Sequence, residues 1–140
     1  MYNVSKANMT YLDDIVHVDS EVSGSTSRRD FIKETIEKRC CIVVQEANNI
    51  VGFLTYDTNF FDCSFISLIM VSPSKRRKGY ASLLLKYMIN HSPTAKVFSS
   101  TNCSNVRMQK VFEANGFIQS GKIENLDEGD PEIVFFKSTY

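Results

Sequence analysis

Apolar residues recur along this 140-residue chain at two different spacings, and the switches between them outline its elements. Tyr2 to Lys6 suits a short first strand. Leu12, Ile15 and Val16 then form a helical stripe, with Thr10 as the cap and Asp13 three residues on. Val22-Ser23-Gly24-Ser25-Thr26 reads as a polar loop. Ser27, with Asp30 three residues later, opens a second helix through Lys38 that carries Phe31, Ile32 and Ile36. Strands are predicted at Cys40–Glu46, Ile50–Phe60 and Cys63–Ser72. Asn48-Asn49 and Phe61-Asp62 mark the turns between them, Asn being tolerant of left-handed backbone. A helix from Gly79 to Asn90 ends before Pro93, which cannot continue it. Lys96–Ser100 is a fifth strand and Asn105–Asn115 a helix. Strands at Phe117–Lys122 and Glu132–Lys137 follow, joined by the acidic loop from Glu124 to Pro131. With no repeat, linker or low-complexity tract, the pattern predicts one domain over residues 1–140, mixed in α and β.

One junction carries chemistry. The apolar run Phe65–Val71 leads into Ser72-Pro73-Ser74-Lys75-Arg76-Arg77-Lys78-Gly79, and the helical run beginning Tyr80-Ala81-Ser82 follows. A strand, a basic turn and a helix start make an anion-binding device, because the helix begins with unpaired N–H groups and the positive end of its dipole. Gly79 permits close approach of a ligand or positive φ at no Cβ cost. Lys75, Arg76, Arg77 and Lys78 add charge at the same place. The turn lacks the Gly-Lys-Ser/Thr ending of a nucleotide P-loop and the Gly-x-Gly-x-x-Gly of a dinucleotide fold. The competing reading is a solvated basic turn, or a nuclear-import or nucleic-acid patch.

A second segment has its own grammar. Asn105, or Ser104 before it, is placed to cap a helix on which Met108, Val111 and Phe112 form an i, i+3, i+4 stripe. Asn115-Gly116 closes that helix, with Gly116 suited to the left-handed conformation. Arg76-Arg77-Lys78-Gly79-Tyr80-Ala81, with Val71-Ser72-Pro73 upstream, resembles the acetyl-CoA signature Arg/Gln-x-x-Gly-x-Gly/Ala of the GNAT superfamily of N-acetyltransferases. Asn105, Gly116 and Phe117 resemble its second segment, Asn-x-x-Ala-x-x-x-Tyr-x-x-x-Gly-Phe, with Met108 in place of the Ala and Phe112 in place of the Tyr.

Composition narrows the field. The chain is 43% hydrophobic and 23% charged, enough for one sizeable core, and its formal net charge of +0 gives no global field to recruit nucleic acid or a membrane. No apolar run approaches a spanning helix, and Met1–Lys6 has no signal-peptide core, so a cytoplasmic protein is expected. The four cysteines offer no Cys-x-x-Cys and the two histidines no paired spacing, so no metal is expected. Buried free thiols are the expectation for Cys40, Cys41, Cys63 and Cys103.

The resemblance implies an α/β (α+β) fold: a mixed, mostly antiparallel sheet of about seven strands flanked by four helices, with a splayed central strand pair. It implies an enzyme moving an acetyl group from acetyl-CoA to a primary amine by direct attack, without a metal. The pyrophosphate would lie on the N–H groups of Arg77 to Ser82, with Arg76 beside them. Ile69, Met70 and Val71 would pair with the pantetheine arm, the Met70 N–H polarising the thioester carbonyl. Asn102, Asn105, Met108 and Phe112 would complete the cofactor contacts. An amine of pKa about 10 is free base in about one molecule per thousand at neutral pH, so a carboxylate base is wanted. Glu132 is the first candidate, with Asp130, Glu128 and Glu21 behind it. Phe112 cannot donate the proton that the family's Tyr donates; Tyr56, Tyr80 and Tyr140 are the substitutes to consider. The acceptor would be a small-molecule or peptide amine, with no nucleic acid or membrane partner, and the resemblance also admits a homodimer. The alternatives are a GNAT-fold module that holds acetyl-CoA or CoA without turnover, as sensor or regulator, and a nucleic-acid binder using Lys75 to Lys78.

Overall fold

The computed structural model describes residues 1–140. It contains seven strands, β1 (Tyr2–Lys6), β2 (Cys41–Glu46), β3 (Asn49–Phe60), β4 (Cys63–Val71), β5 (Lys96–Asn102), β6 (Ile118–Ile123) and β7 (Glu132–Ser138), and four α-helices, α1 (Leu12–Ser23), α2 (Arg29–Glu37), α3 (Tyr80–His91) and α4 (Val106–Ala114). Short 3-10 turns precede α1 (Met9–Tyr11) and follow β4 (Pro73–Lys75). The strands form one sheet in the order β1-β2-β3-β4-β5-β7-β6. Its registered pairs are antiparallel except β4 with β5. That parallel ladder is confined to Ser64↔Val97 and Phe65↔Phe98, the splayed pair that the resemblance implies. The fold class and the order of elements are as expected. No helix is long and apolar enough to cross a membrane.

Packing divides the chain into two compact units, Met1–Tyr56 with Leu68–Met88, and Asp57–Ser67 with Ile89–Tyr140. In the first, Leu12, Ile15, Val16 and Val18 of α1 and Ile32 and Ile36 of α2 form one core with Cys41, Val43 and Phe53, and Leu68 and Met70 pack at its margin. Asp19 is buried in this unit, where Arg28 grips it in bidentate fashion, Nη2 at 2.6 Å and Nε at 3.2 Å. In the second, Phe112 of α4 stacks on Phe135 of β7 at 4.9 Å and lies 5.3 Å from Phe117.

Several local expectations are corrected. Asn8, not Thr10, caps the first helical segment, its Oδ1 accepting from the Thr10 N–H at 3.0 Å. α1 runs on through Val22 and Ser23, because the Ser23 hydroxyl returns to the Asp19 carbonyl (2.9 Å) and the helix stops only at Gly24, φ +77. Ser27 does not cap α2: its N–H donates to the Ser25 hydroxyl, and the residue before the helix is Arg28. In the β2–β3 turn the left-handed residue is Ala47 (φ +57), not an asparagine. Only Cys41 is buried; Cys40, Cys63 and Cys103 are half-buried, and all four are free.

Candidate functional site

The basic turn joins a strand to the start of a helix. β4 ends at Val71, the 3-10 turn Pro73–Lys75 follows, and α3 begins at Tyr80. Between them Arg77 and Gly79 both take the left-handed conformation, φ +67 and +81. A Cβ added to Gly79 would meet nothing within 4 Å, so the glycine serves the backbone angle and the space before it is open. The first helical bond is Leu83 N–H to the Gly79 carbonyl, 3.1 Å, so the Tyr80 and Ala81 N–H groups start outside the helical ladder. Arg77, Lys78 and Gly79 are exposed; Arg76, Ala81 and Ser82 are half-buried.

The four basic side chains are not equivalent. Lys75 and Lys78 are drawn to one carboxylate, Glu46 at the end of β2, at 2.6 and 3.6 Å. The Tyr80 hydroxyl donates to the same carboxylate. Lys75 and then Tyr80 hold the Glu46 carboxyl down at about 2, below its ordinary 4.5, and Glu46 in turn pushes the Tyr80 phenol up. Arg77 is exposed and makes no ion pair. Glu46 sits in no motif. Its only sequence signal is an acidic residue closing a strand, which is too common to single it out.

β4 carries the second half of the expected site, and one assignment on it changes. The Ser72 N–H donates to the Val51 carbonyl of β3 at 2.8 Å. Backbone groups alternate sides along a strand, so the Met70 N–H also points toward β3 and those of Ile69 and Val71 point away. On that alternation Ile69 and Val71, rather than Met70, are the candidates to present an N–H on the far side of β4. β3 lies tight against Met70: a Cβ at Gly52 would come within 2.9 Å of the Met70 carbonyl oxygen. Just past Val71, the buried Ser72 donates its hydroxyl to Glu21 at the end of α1 (2.9 Å), and His17 lies 3.8 Å from the other Glu21 oxygen.

The residues expected from the second motif lie in the other unit and mostly have structural work. Asn105 caps α4, its Oδ1 accepting from the Met108 N–H at 3.1 Å, and Met108 is half-buried. Asn102 donates to Asp127 (2.8 Å) and to the Asp130 carbonyl (3.2 Å). Phe112 is 0% exposed, which contradicts a contact with a cofactor: Phe135 stacks on its ring and Phe117 packs against it at a tilt. Among the carboxylates, both oxygens of Asp130 accept from Ser104, at 3.0 and 2.6 Å, so Asp130 pins the acidic loop. Glu132, half-buried at the start of β7, accepts from the Ser100 hydroxyl at 2.7 Å; Glu128 is solvent-exposed. No group of three or more His, Cys, Asp or Glu gathers as a metal site. The substitute tyrosines are poorly poised. Burial, then Cys40, pushes Tyr56 up to about 12, Tyr80 is bound to Glu46, and Tyr140 is exposed.

The model of the acetyltransferase (GNAT) family matches residues 9–117. The chain belongs to the GNAT family of acetyltransferases. A GNAT-family acetyltransferase of Bacillus cereus ATCC 10987 is similar to it over 99% of this chain and 97% of its own, at 64% identity and a TM-score of 0.96. More distant acetyltransferase and related structures share the fold alone. The ribosomal-protein-S18-alanine N-acetyltransferase of Escherichia coli is 16% identical, covering 99% of this chain and 94% of that one, TM-score 0.84. A Salmonella typhimurium protein solved with its cofactor acetyl-CoA is 13% identical, covering 100% and 95%, TM-score 0.84. No curated protein matches the chain. This GNAT-type N-acetyltransferase thus has its signature turn on an ordered strand–turn–helix junction, with Phe112 inside a core.

Proposed function

We propose that residues 1–140 act as one N-acetyltransferase domain that moves an acetyl group from acetyl-CoA to a primary amine by direct attack. The observation that carries this reading is the left-handed turn at Arg77 and Gly79, opening onto the start of a 12-residue helix. Its N–H groups would receive the pyrophosphate, as helix starts receive anions generally. Acetyl-CoA, when bound, supplies an activated acyl thioester. The Ile69 and Val71 N–H groups, directed away from β3, would take the pantetheine arm as an added strand does, one of them polarising the thioester carbonyl. Arg77, exposed and without an ion pair, would meet a phosphate, and Arg76 would add charge beside it.

The chain's own part in the chemistry is positioning and proton management. Held against the carbonyl, an amine needs no covalent relay. It does need to lose a proton. Glu132, half-buried and hydrogen-bonded to Ser100, is one base of the proposal. Glu21 is the second, favoured by its hydrogen bond to Ser72 one residue beyond Val71 and by His17 at its other oxygen. A Gln substitution at the true base should lower kcat/KM most at neutral pH and remove the acidic limb of the pH–rate profile. The leaving thiolate, of pKa about 8.5, can be protonated by water.

The acceptor class is a small-molecule or peptide amine. Release of free thiol from acetyl-CoA across a panel of polyamines, amino acids and peptides tests the whole reading. The second reading is a module that holds CoA without turnover, and the absence of a poised tyrosine supports it. Tight binding of acetyl-CoA with no thiol release on any amine would favour that module.

A further inference from the structure

Glu46 takes no part in the family signature, yet its carboxylate gathers three groups of the signature turn. Lys75 Nζ donates to Oε1 at 2.6 Å, while the Tyr80 hydroxyl donates to Oε2 and Lys78 Nζ approaches Oε2 at 3.6 Å. Lys75 is the last residue of the 3-10 turn and Tyr80 the first of α3. One carboxylate at the end of β2 therefore ties down both ends of Arg76–Gly79, and Lys78 within it. That stretch holds Arg77 at φ +67, where a residue with a Cβ is disfavoured and persists only when its surroundings dictate it.

We propose that Glu46 is a positioning residue for the acyl-donor site, fixing the left-handed turn in its phosphate-receiving shape before any ligand arrives. The proposal rests on the cofactor reading above. Two effects of Glu46 oppose each other. Its negative charge repels a diphosphate, but Lys75 and Lys78 already outweigh it, and Arg76 and Arg77 keep the turn cationic. Ordering the turn in advance removes a cost that binding would otherwise bear, and this effect is the larger. A neutral Gln keeps an acceptor oxygen for Tyr80 or Lys75 and should preserve part of the order.

The test compares the full-length protein with Glu46→Ala, Glu46→Gln and Tyr80→Phe. Hydrogen exchange of the ligand-free proteins should show faster exchange at residues 76–80 in Glu46→Ala, with α1, α2 and β2 unchanged. Calorimetry with CoA should show binding weakened about tenfold or more, that being the worth of a lost charge-assisted contact. In kinetics the loss should fall on KM for acetyl-CoA rather than on kcat, and Glu46→Gln and Tyr80→Phe should lie between Glu46→Ala and wild type. These two variants decide the matter if Glu46→Ala fails to fold. Unchanged exchange at 76–80 with unchanged CoA affinity overturns the proposal. Tighter CoA binding in Glu46→Ala also overturns it, making Glu46 a competing counter-charge. Wild-type protein that takes up no CoA would overturn the cofactor reading beneath it. The two failures are distinguishable because the exchange difference is measured without ligand.

Discussion

At the scale of single residues, Gly79 and Phe112 make opposite demands on their surroundings. Gly79 has open space around it and a backbone angle, φ +81, that a side chain resists. A β-branched residue there should cost about 1–2 kcal/mol in local strain or flip the turn, without touching any core. Gly79→Val is therefore expected to fold but to lose the rise in melting temperature that acetyl-CoA gives the wild type; a full ligand-induced rise in the variant would remove the turn from the site. Phe112 is enclosed. Restoring the family's tyrosine as Phe112→Tyr would place a hydroxyl on a ring that is 0% exposed, and an unsatisfied buried hydroxyl costs about 1–3 kcal/mol. The expected result is lower stability in chemical denaturation with no gain in rate, and a large rate gain would show that the ring reaches the reacting atoms. Phe112→Ala should cost about 3–5 kcal/mol through the cavity it leaves.

At the scale of elements, the β2 end, the turn after β4 and the start of α3 behave as one electrostatic group. The Glu46 carboxyl is held down at about 2 in the folded protein, against 4.5 ordinarily, by Lys75 and Tyr80. A depressed carboxylate stabilises the fold above its unfolded value and loses that contribution as pH falls through the folded one. The melting-temperature difference between wild type and Glu46→Gln should therefore be constant above pH 5 and shrink between about 4.5 and 2; a difference that persists at pH 2 would mean that the ion pairs do not hold the carboxyl down. Much at this scale was legible in the chain. The strand–turn–helix junction, the Asn105 cap and the left-handed Gly116 follow from local spacing, and the structure has all three. What was illegible depends on partners distant in sequence. The side on which Met70 turns its N–H is read from Ser72 bonding to Val51, and Glu46 matters only because its carboxylate meets Lys75 of the turn. The spacing to Asp13 points to Thr10 as the cap, but a 3-10 turn starts the helical segment earlier and puts Asn8 at the cap, its Oδ1 accepting from the Thr10 N–H. Phe112 sits on a plausible helical stripe, but whether a stripe faces a ligand or a core is a property of what packs on it.

At the scale of the whole molecule, the question is whether acetyl ever rests on the protein. An acetyl-enzyme needs a nucleophile that is both reachable and ionisable. Cys41 is neither, since burial pushes its thiol up to about 12, where almost none is thiolate at neutral pH. Cys40, Cys63 and Cys103 are half-buried, and the Cys40 and Cys63 thiols donate to the backbone carbonyls of Lys38 and Phe61. The proposed direct attack by the bound amine requires both substrates on the enzyme together. Initial rates measured against acetyl-CoA at several fixed amine concentrations should then give intersecting reciprocal plots; parallel lines, or acetyl label retained on denatured protein, would establish a covalent intermediate. The same ternary logic governs stability. Because acetyl-CoA would bind the folded chain alone, stability should rise by about 2.7 kcal/mol at a ligand concentration 100 times Kd. A melting temperature unmoved by millimolar acetyl-CoA would remove the donor site and the mechanism with it.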